Sequence, residues 1–178
     1  MAPAVSPRRW SRSVFGDEAQ GTQRGPITLI GEGTLKKARV LILCTGNSAR
    51  SQMAEGILRH EAGDLFEVES AGVRPGSVRP EAIQAMSEIG IDITGHWSKS
   101  VELFVGQSFD YLITVCDHAQ ESCPVFPGHA VRIHQCFEDP PAPGVMSPEE
   151  TLDRFRCVRD QIQQWIREFV SRSAAPTI

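Results

Sequence analysis

From Arg39 to the carboxyl end, short apolar runs alternate with stretches of helical periodicity. Residues 40–43 (Val-Leu-Ile-Leu) form an unbroken apolar run, and 66–70, 111–115 and 131–134 are the other segments of strand length and composition. Apolar spacing and stop signals predict helices over 51–61, over 80–89 with Gly90 as its stop, around 98–105, and over 148–170. The last has the fullest set of signals. Ser147 stands at the N-cap, Pro148 at the first helical position and Glu150 as the capping-box carboxylate, while Leu152, Phe155, Ile162, Ile166 and Phe169 form an apolar stripe. Short strands separated by helices predict an α/β domain, a four-stranded parallel sheet with helices on both faces and right-handed crossovers. Ligands of such sheets bind beyond the carboxyl ends of the strands. Cys44 follows the first strand and Cys116 the third, so the topology sends both to that edge.

Composition narrows the picture. The 178 residues, 40% hydrophobic and 22% charged, suit one globular domain with a core of its own. Residues 1–36 mix Pro, Gly, Ser, Arg and Gln with little periodicity and are expected to be a flexible N-terminal extension; the domain is expected over 37–171, with a tail at 172–178. The arginine pair near the amino end has no apolar segment behind it, so no secretory or twin-arginine signal is expected. A formal net charge of −4 argues against a nucleic-acid partner. No apolar stretch approaches the roughly 20 residues needed to span a bilayer, so no membrane association is expected. Five cysteines, an odd number in a chain too large to need disulfide staples, point to reduced thiols and a cytoplasmic setting.

The segment CTGNSARS, residues 44–51, joins the first strand to the first helix. Such a turn aims backbone N–H groups at one point, and the helix dipole adds positive potential there. Cys44 at its start is expected to be favoured as a thiolate by that field and to act as a nucleophile. Arg50 offers a planar fork of donors to two oxygens of a tetrahedral oxyanion. Gly46 is expected to supply a backbone conformation that other residues resist, and the Ser51 hydroxyl to donate to the sulfur. Thr45, Gly46, Asn47, Ser48, Ala49, Arg50 and Ser51 together make the expected anion-binding loop.

The string CTGNSARSQMAEG in its strand-loop-helix setting resembles the low-molecular-weight protein tyrosine phosphatase superfamily and, within it, the arsenate reductases coupled to thioredoxin. The resemblance extends over about residues 37–169 and implies a single flavodoxin-like domain of the low-molecular-weight phosphatase type. It leaves two chemistries open. Ester hydrolysis needs one thiolate, a general acid and water. Arsenate reduction also needs a second thiol to attack the arsenic-bound sulfur, and Cys116 and Cys123, within VCDHAQESCP, match that requirement. If the residues between them are helical, their Cα atoms lie roughly 10 Å apart, beyond the ~7 Å reach of a disulfide. A relay from Cys44–Cys116 to Cys116–Cys123 thus requires residues 117–122 to unwind.

Asp139, before Pro140 in a Pro-rich loop, matches the family's general acid. The phosphatase branch has aromatic walls after this Asp-Pro, where this chain has Pro141 and Ala142. Ala49 stands where some reductases of the group have a further cysteine. The resemblance implies thioredoxin as reductant, which nothing in the chain itself distinguishes from glutaredoxin or a similar thiol reductant, arsenate as substrate with phosphate or sulfate as competing oxyanions, and no required cofactor, with an optional potassium ion held by Asn47, Glu55, Ser70 and Asp92. His96, His118 and His134 are not spaced as zinc ligands. Cys136 is expected to pack as a small hydrophobe, and Cys157 falls off its helix's apolar stripe. The expected function is thiol-coupled arsenate reduction. The alternatives are a phosphatase using the same loop and a redox or oxyanion sensor without turnover.

Overall fold

The structure is a computed structural model that describes residues 11–12, 29–30 and 34–173, with side chains over 36–173. The expected extension over 1–36 and tail over 172–178 lie mostly outside the described residues. In chain order the strands are β1 (Ser11–Arg12), β2 (Leu29–Ile30), β3 (Thr34–Leu35), β4 (Ala38–Cys44), β5 (Phe66–Gly72), β6 (Tyr111–Thr114) and β7 (Val131–His134). The helices are α1 (Arg50–Ala62), α2 (Pro80–Ser87), α3 (Asp117–Glu121) and α4 (Pro148–Ser173).

The four expected strands are β4 to β7. They form a parallel sheet in the order β7-β6-β4-β5, and β1 adds a two-residue parallel pairing outside β7. The central strand β4 pairs Cys44 with Gly72 of β5 and Leu43 with Thr114 of β6. On the other side of β6, Thr114 pairs with His134 of β7. All four strands therefore end at one level, and the turns after β4, β6 and β7 share one rim.

Successive residues of a strand point to opposite faces, yet every residue of β6 and all but Arg39 of β4 are buried. Both faces are covered, as in parallel sheets generally. One cover is α4, whose Phe169 stacks on Trp165 and meets the rings of Phe66 and Tyr111. Its expected stripe is buried throughout, and its N-terminus carries the capping box: Ser147 Oγ donates to Glu150 Oε2 at 2.6 Å, and Glu150 N donates back to Ser147 Oγ at 3.3 Å. Truncating the fully buried Phe155 to alanine would cost about 3–5 kcal/mol.

One expected helix shrinks. Residues 98–105 give only a single 3-10 turn, Val101–Phe104, started by Ser100 and followed by Gly106 at φ +87°. Two buried positions, Val101 and Phe104, leave too little apolar surface to extend it.

Candidate active site

Cys44 is the last residue of β4, and its sulfur points into the turn that leads to α1. Asn47 N–H donates to Cys44 Sγ at 3.0 Å, and Ser51 Oγ lies 2.8 Å from it. The direction of the second bond follows from its neighbours. Asn47 Nδ2 donates to Ser51 Oγ at 2.9 Å, which leaves the hydroxyl proton for the sulfur. The first position of α1 is preceded by Ala49, which offers no side-chain cap, so the helix's leading N–H groups are left to the loop and what it binds.

Burial pushes the Cys44 thiol above its ordinary value, and nearby Cys116 adds to this, while Ser51, the Asn47 N–H and Arg50 pull it down. The expected donors are in place, and desolvation, which disfavours the charged form, opposes them.

Asn47, not Gly46, is the residue in the left-handed region, at φ 46°. Asparagine tolerates that conformation because its amide bonds locally, and here the amide is fully used. Its Nδ2 also donates to Ser70 Oγ at 2.8 Å, and its Oδ1 accepts from Lys99 N at 2.7 Å and Gln52 Nε2 at 2.9 Å. Its carbonyl accepts from Ser98 Oγ at 2.6 Å. Gly46 serves differently, its carbonyl accepting from Gly76 N at 2.9 Å. Gly72 makes the close approach: a Cβ there would lie 2.7 Å from Thr45 O and 2.8 Å from Asn47 N. Ser48 contributes its carbonyl to Arg79 N at 2.8 Å.

Arg50 is buried and closes the site from the side of α1. Its guanidinium donates to Phe137 O at 3.1 Å and pairs with Asp139 Oδ1 at 2.8 Å. Asp139 is 78% exposed, so the carboxylate reaches the loop from a solvent-facing segment. Arg79 ties that segment down by donating to Pro141 O at 3.1 Å. Pro141 and Ala142, neither of them aromatic, follow Asp139 and Pro140 in that segment.

Three of the four expected potassium ligands meet, but not around a cation. Ser70 Oγ donates to Glu55 Oε2 and accepts from Asn47, whereas Asp92 is exposed and accepts from Thr94 N at 2.8 Å in its own turn. The positive charge beside Glu55 is Lys99. Its Nζ, on a side chain only 10% exposed, lies 3.2 Å from Glu55 Oε2 and 3.2 Å from Glu69 Oε2, and Arg59 Nη2 is 2.7 Å from Glu55 Oε1. Two carboxylates face two cations, so an added potassium ion would carry unbalanced charge into a closed cluster. The residues present do not fit potassium. Lys99, Gln52, Ser98 and Gly72 carry no motif of their own, and the sequence reading passed over them.

Cys116 is buried at the N-cap of α3, and Thr45 Oγ1 lies 3.4 Å from its sulfur. It thus stands one strand over from the nucleophile's turn, as the topology required. Between Cys116 and Cys123 the chain forms the five-residue helix α3, held at its start by Asp117 Oδ1, 3.0 Å from His134 Nε2. Cys123 is half-buried, with burial pushing its thiol up and Arg132 opposing. Cys136 is exposed, contrary to the expected packing, because it lies past the end of β7. Cys157 is exposed on α4. All five cysteines are free thiols.

The chain is similar to known proteins. The chain is 42% identical over 135 residues to an arsenate reductase of Halalkalibacterium halodurans, covering 76% of this chain and 96% of that protein. It is 40% identical over 130 residues to an arsenate reductase of Bacillus subtilis, covering 73% and 93%. Among solved structures, an arsenate reductase in the intermediate state superposes with a TM-score of 0.62 at 31% identity, covering 76% of this chain and 98% of that one. A low molecular weight protein tyrosine phosphatase from T. tengcongensis superposes with a TM-score of 0.60 at 26% identity, covering 76% and 99%. The profile of the low molecular weight phosphotyrosine protein phosphatases matches residues 39–175, and the chain belongs to that family.

Proposed function

We propose that this chain reduces arsenate to arsenite. The observation that carries the reading is the position of Cys116, a second thiol one strand from Cys44 and in contact with the residue after it. A hydrolase has no use for it.

Arg50 and the leading N–H groups of α1 hold the oxyanion. When arsenate takes the guanidinium, Asp139 is displaced toward the departing oxygen. The Cys44 thiolate attacks arsenic(V), and a hydroxyl leaves as water with the proton that Asp139 supplies. Cys116 then attacks Cys44 Sγ. The sulfur–arsenic electron pair stays with arsenic, which leaves as arsenite, and the two thiols become the Cys44–Cys116 disulfide. Cys123 attacks Cys116 and frees Cys44, which requires α3 to unwind. An external dithiol of the thioredoxin type reduces the Cys116–Cys123 disulfide. A relay of reduced thiols suits the cytoplasm. No helix among the described residues is long and apolar enough to cross a membrane.

Phosphate is the natural competitor, having the same tetrahedral shape and charge. Hydrolysis of phosphate esters is the second reading, favoured by the Cys44, Arg50 and Asp139 geometry alone. Cys116→Ser and Cys123→Ser separate the two. Cys116→Ser should abolish multiple-turnover arsenate reduction, Cys123→Ser should lower it, and both should leave hydrolysis of a small phosphate ester largely intact. Undiminished reduction in both variants would remove the relay through Cys116 and Cys123. A sensor without turnover is tested by arsenite released per protein molecule, which would stop at one.

A further inference from the structure

The β6–β7 register places a fourth thiol beside the relay. Thr114 and His134 are partners, and their side chains meet on one face, with Thr114 Oγ1 2.8 Å from His134 Nδ1. Two residues further along each chain the same face recurs, and those residues are Cys116 and Cys136. The pairing continues past the assigned strands: Gln135 N donates to Thr114 O at 2.9 Å and Phe137 N to Val115 O at 3.4 Å. The second bond is slipped by one residue, because Cys116 O is taken by Gln120 N at 3.2 Å to start α3. The slip bulges Cys136 outward, which explains its exposure. Asp117 confirms the neighbourhood from the other side. The Cys136 thiol donates to its Oδ2 at 3.7 Å, while its Oδ1 holds His134.

At the last paired position, Thr114 and His134, neighbouring strands lie about 4.8 Å apart, within the Cα separation of roughly 4.4–6.8 Å that a disulfide accepts, and the two cysteines follow two residues on. Cys123 lies beyond α3. Cys136, unlike Cys123, is not separated from Cys116 by α3.

We infer that Cys136 is a second resolving cysteine: its thiolate attacks Cys116 in the Cys44–Cys116 disulfide, forming Cys116–Cys136 and releasing Cys44 as thiolate. The inference rests on the reductase reading. No electrons are gained or lost in the exchange, and the dithiol that reduces Cys116–Cys123 also reduces the new bond, whose exposed sulfur it can reach. Desolvation and the Asp117 carboxylate push the Cys136 thiol up, with Arg50 opposing. The exchange therefore quickens as pH rises.

The test uses reduced Cys123→Ser and Cys123→Ser/Cys136→Ser proteins, each given one equivalent of arsenate, quenched with N-ethylmaleimide and mapped by peptide mass. The first should hold Cys116–Cys136 as its main disulfide and the second Cys44–Cys116. With a dithiol reductant, turnover should fall at least about tenfold further in the second. Cys44–Cys116 as the end state of both proteins would overturn the inference and leave the reductase reading standing. Absence of any disulfide and of arsenite from both would defeat the reductase reading instead. The thiol pair is tested apart from arsenate in Cys44→Ser/Cys123→Ser treated with one equivalent of diamide. Cys116–Cys136 should form within the chain, and free or intermolecular thiols there would overturn the pairing.

Discussion

Around Cys44 the polar side chains of the turn are sealed and mutually bonded: Asn47, Ser51, Gln52, Glu55 and Ser70 are all at most 1% exposed. Around Cys116, Cys123 and Cys136 the chain is a five-residue helix between loops, with sulfurs that range from buried to exposed. Both regions stand on the same rim of one sheet. The difference follows the work proposed for each. A nucleophile and its anion donors gain from groups that need no rearrangement in the reaction, whereas disulfides that pass between thiols need backbone that moves. A buried network gives the first, and a short helix, marginal without tertiary support, gives the second.

The comparison is broken most severely at the nucleophile. Cys44→Ser should lower both arsenate reduction and phosphate-ester hydrolysis by at least about 10³-fold, with the fold unchanged by circular dichroism. Retention of either activity would show that the turn is not the reacting centre.

Next comes the charge cluster behind the turn. Lys99→Met leaves Glu55 and Glu69 sharing one cation, Arg59, and should destabilise the protein by about 3 kcal/mol, read from the urea midpoint. Exchanging sodium for potassium chloride at equal ionic strength should leave the wild-type midpoint and rate unchanged. Potassium-specific activation of the wild type would return the cation site to Glu55.

Ser51→Ala probes the sulfur itself. Alkylation by iodoacetamide follows the thiolate, so its rate should rise with pH through a midpoint above that of an ordinary thiol, because burial raises Cys44. Ser51 opposes that rise, so its removal should move the midpoint higher still and slow reduction at neutral pH about tenfold. A midpoint that stays or falls would mean that the serine does not donate to the sulfur. The same shift links to stability. Folding favours the neutral thiol, so the Cys44 contribution is complete below the unfolded thiol's pKa and is lost as pH climbs through the folded value.

Much of the sheet edge was legible in the sequence. The apolar run before Cys44, the Cys-x5-Arg spacing and the Ser147 capping box are local patterns, and local patterns specify strands, turns and caps. What stayed hidden depends on side chains brought together from distant segments. Lys99 meets Glu55 across 44 positions of chain, and Cys136 meets Asp117 across 19. The expected potassium ligands part for this reason: Asp92 turns to its own loop, and the negative charge that the ion was to balance at Glu55 is met by the Lys99 ammonium. Glycine is the usual residue for a left-handed conformation, yet Asn47 and not Gly46 adopts it. The dense bonding of the asparagine amide appears only in three dimensions.

The mildest test bears on the moving region. Asp117 joins the first turn of α3 to His134 on β7, and an acidic side chain at a helix N-terminus also suits the helix dipole. Its side chain is 74% exposed, so the pair is worth at most about 1 kcal/mol. Asp117→Asn should therefore loosen α3 without unfolding the sheet. Amide exchange over residues 117–122 should accelerate, and in a Cys136→Ser background, where Cys123 is the sole acceptor, the passage from Cys44–Cys116 to Cys116–Cys123 should quicken by a factor of about five or less. Cys44 alkylation should stay as in the parent, because the turn is braced from Asn47 and not from α3. Faster exchange in α3 with an unchanged or slower passage would show that unwinding this helix does not limit the relay. The contrast between a fixed cradle and a yielding rim would then rest on the position of Cys116 alone.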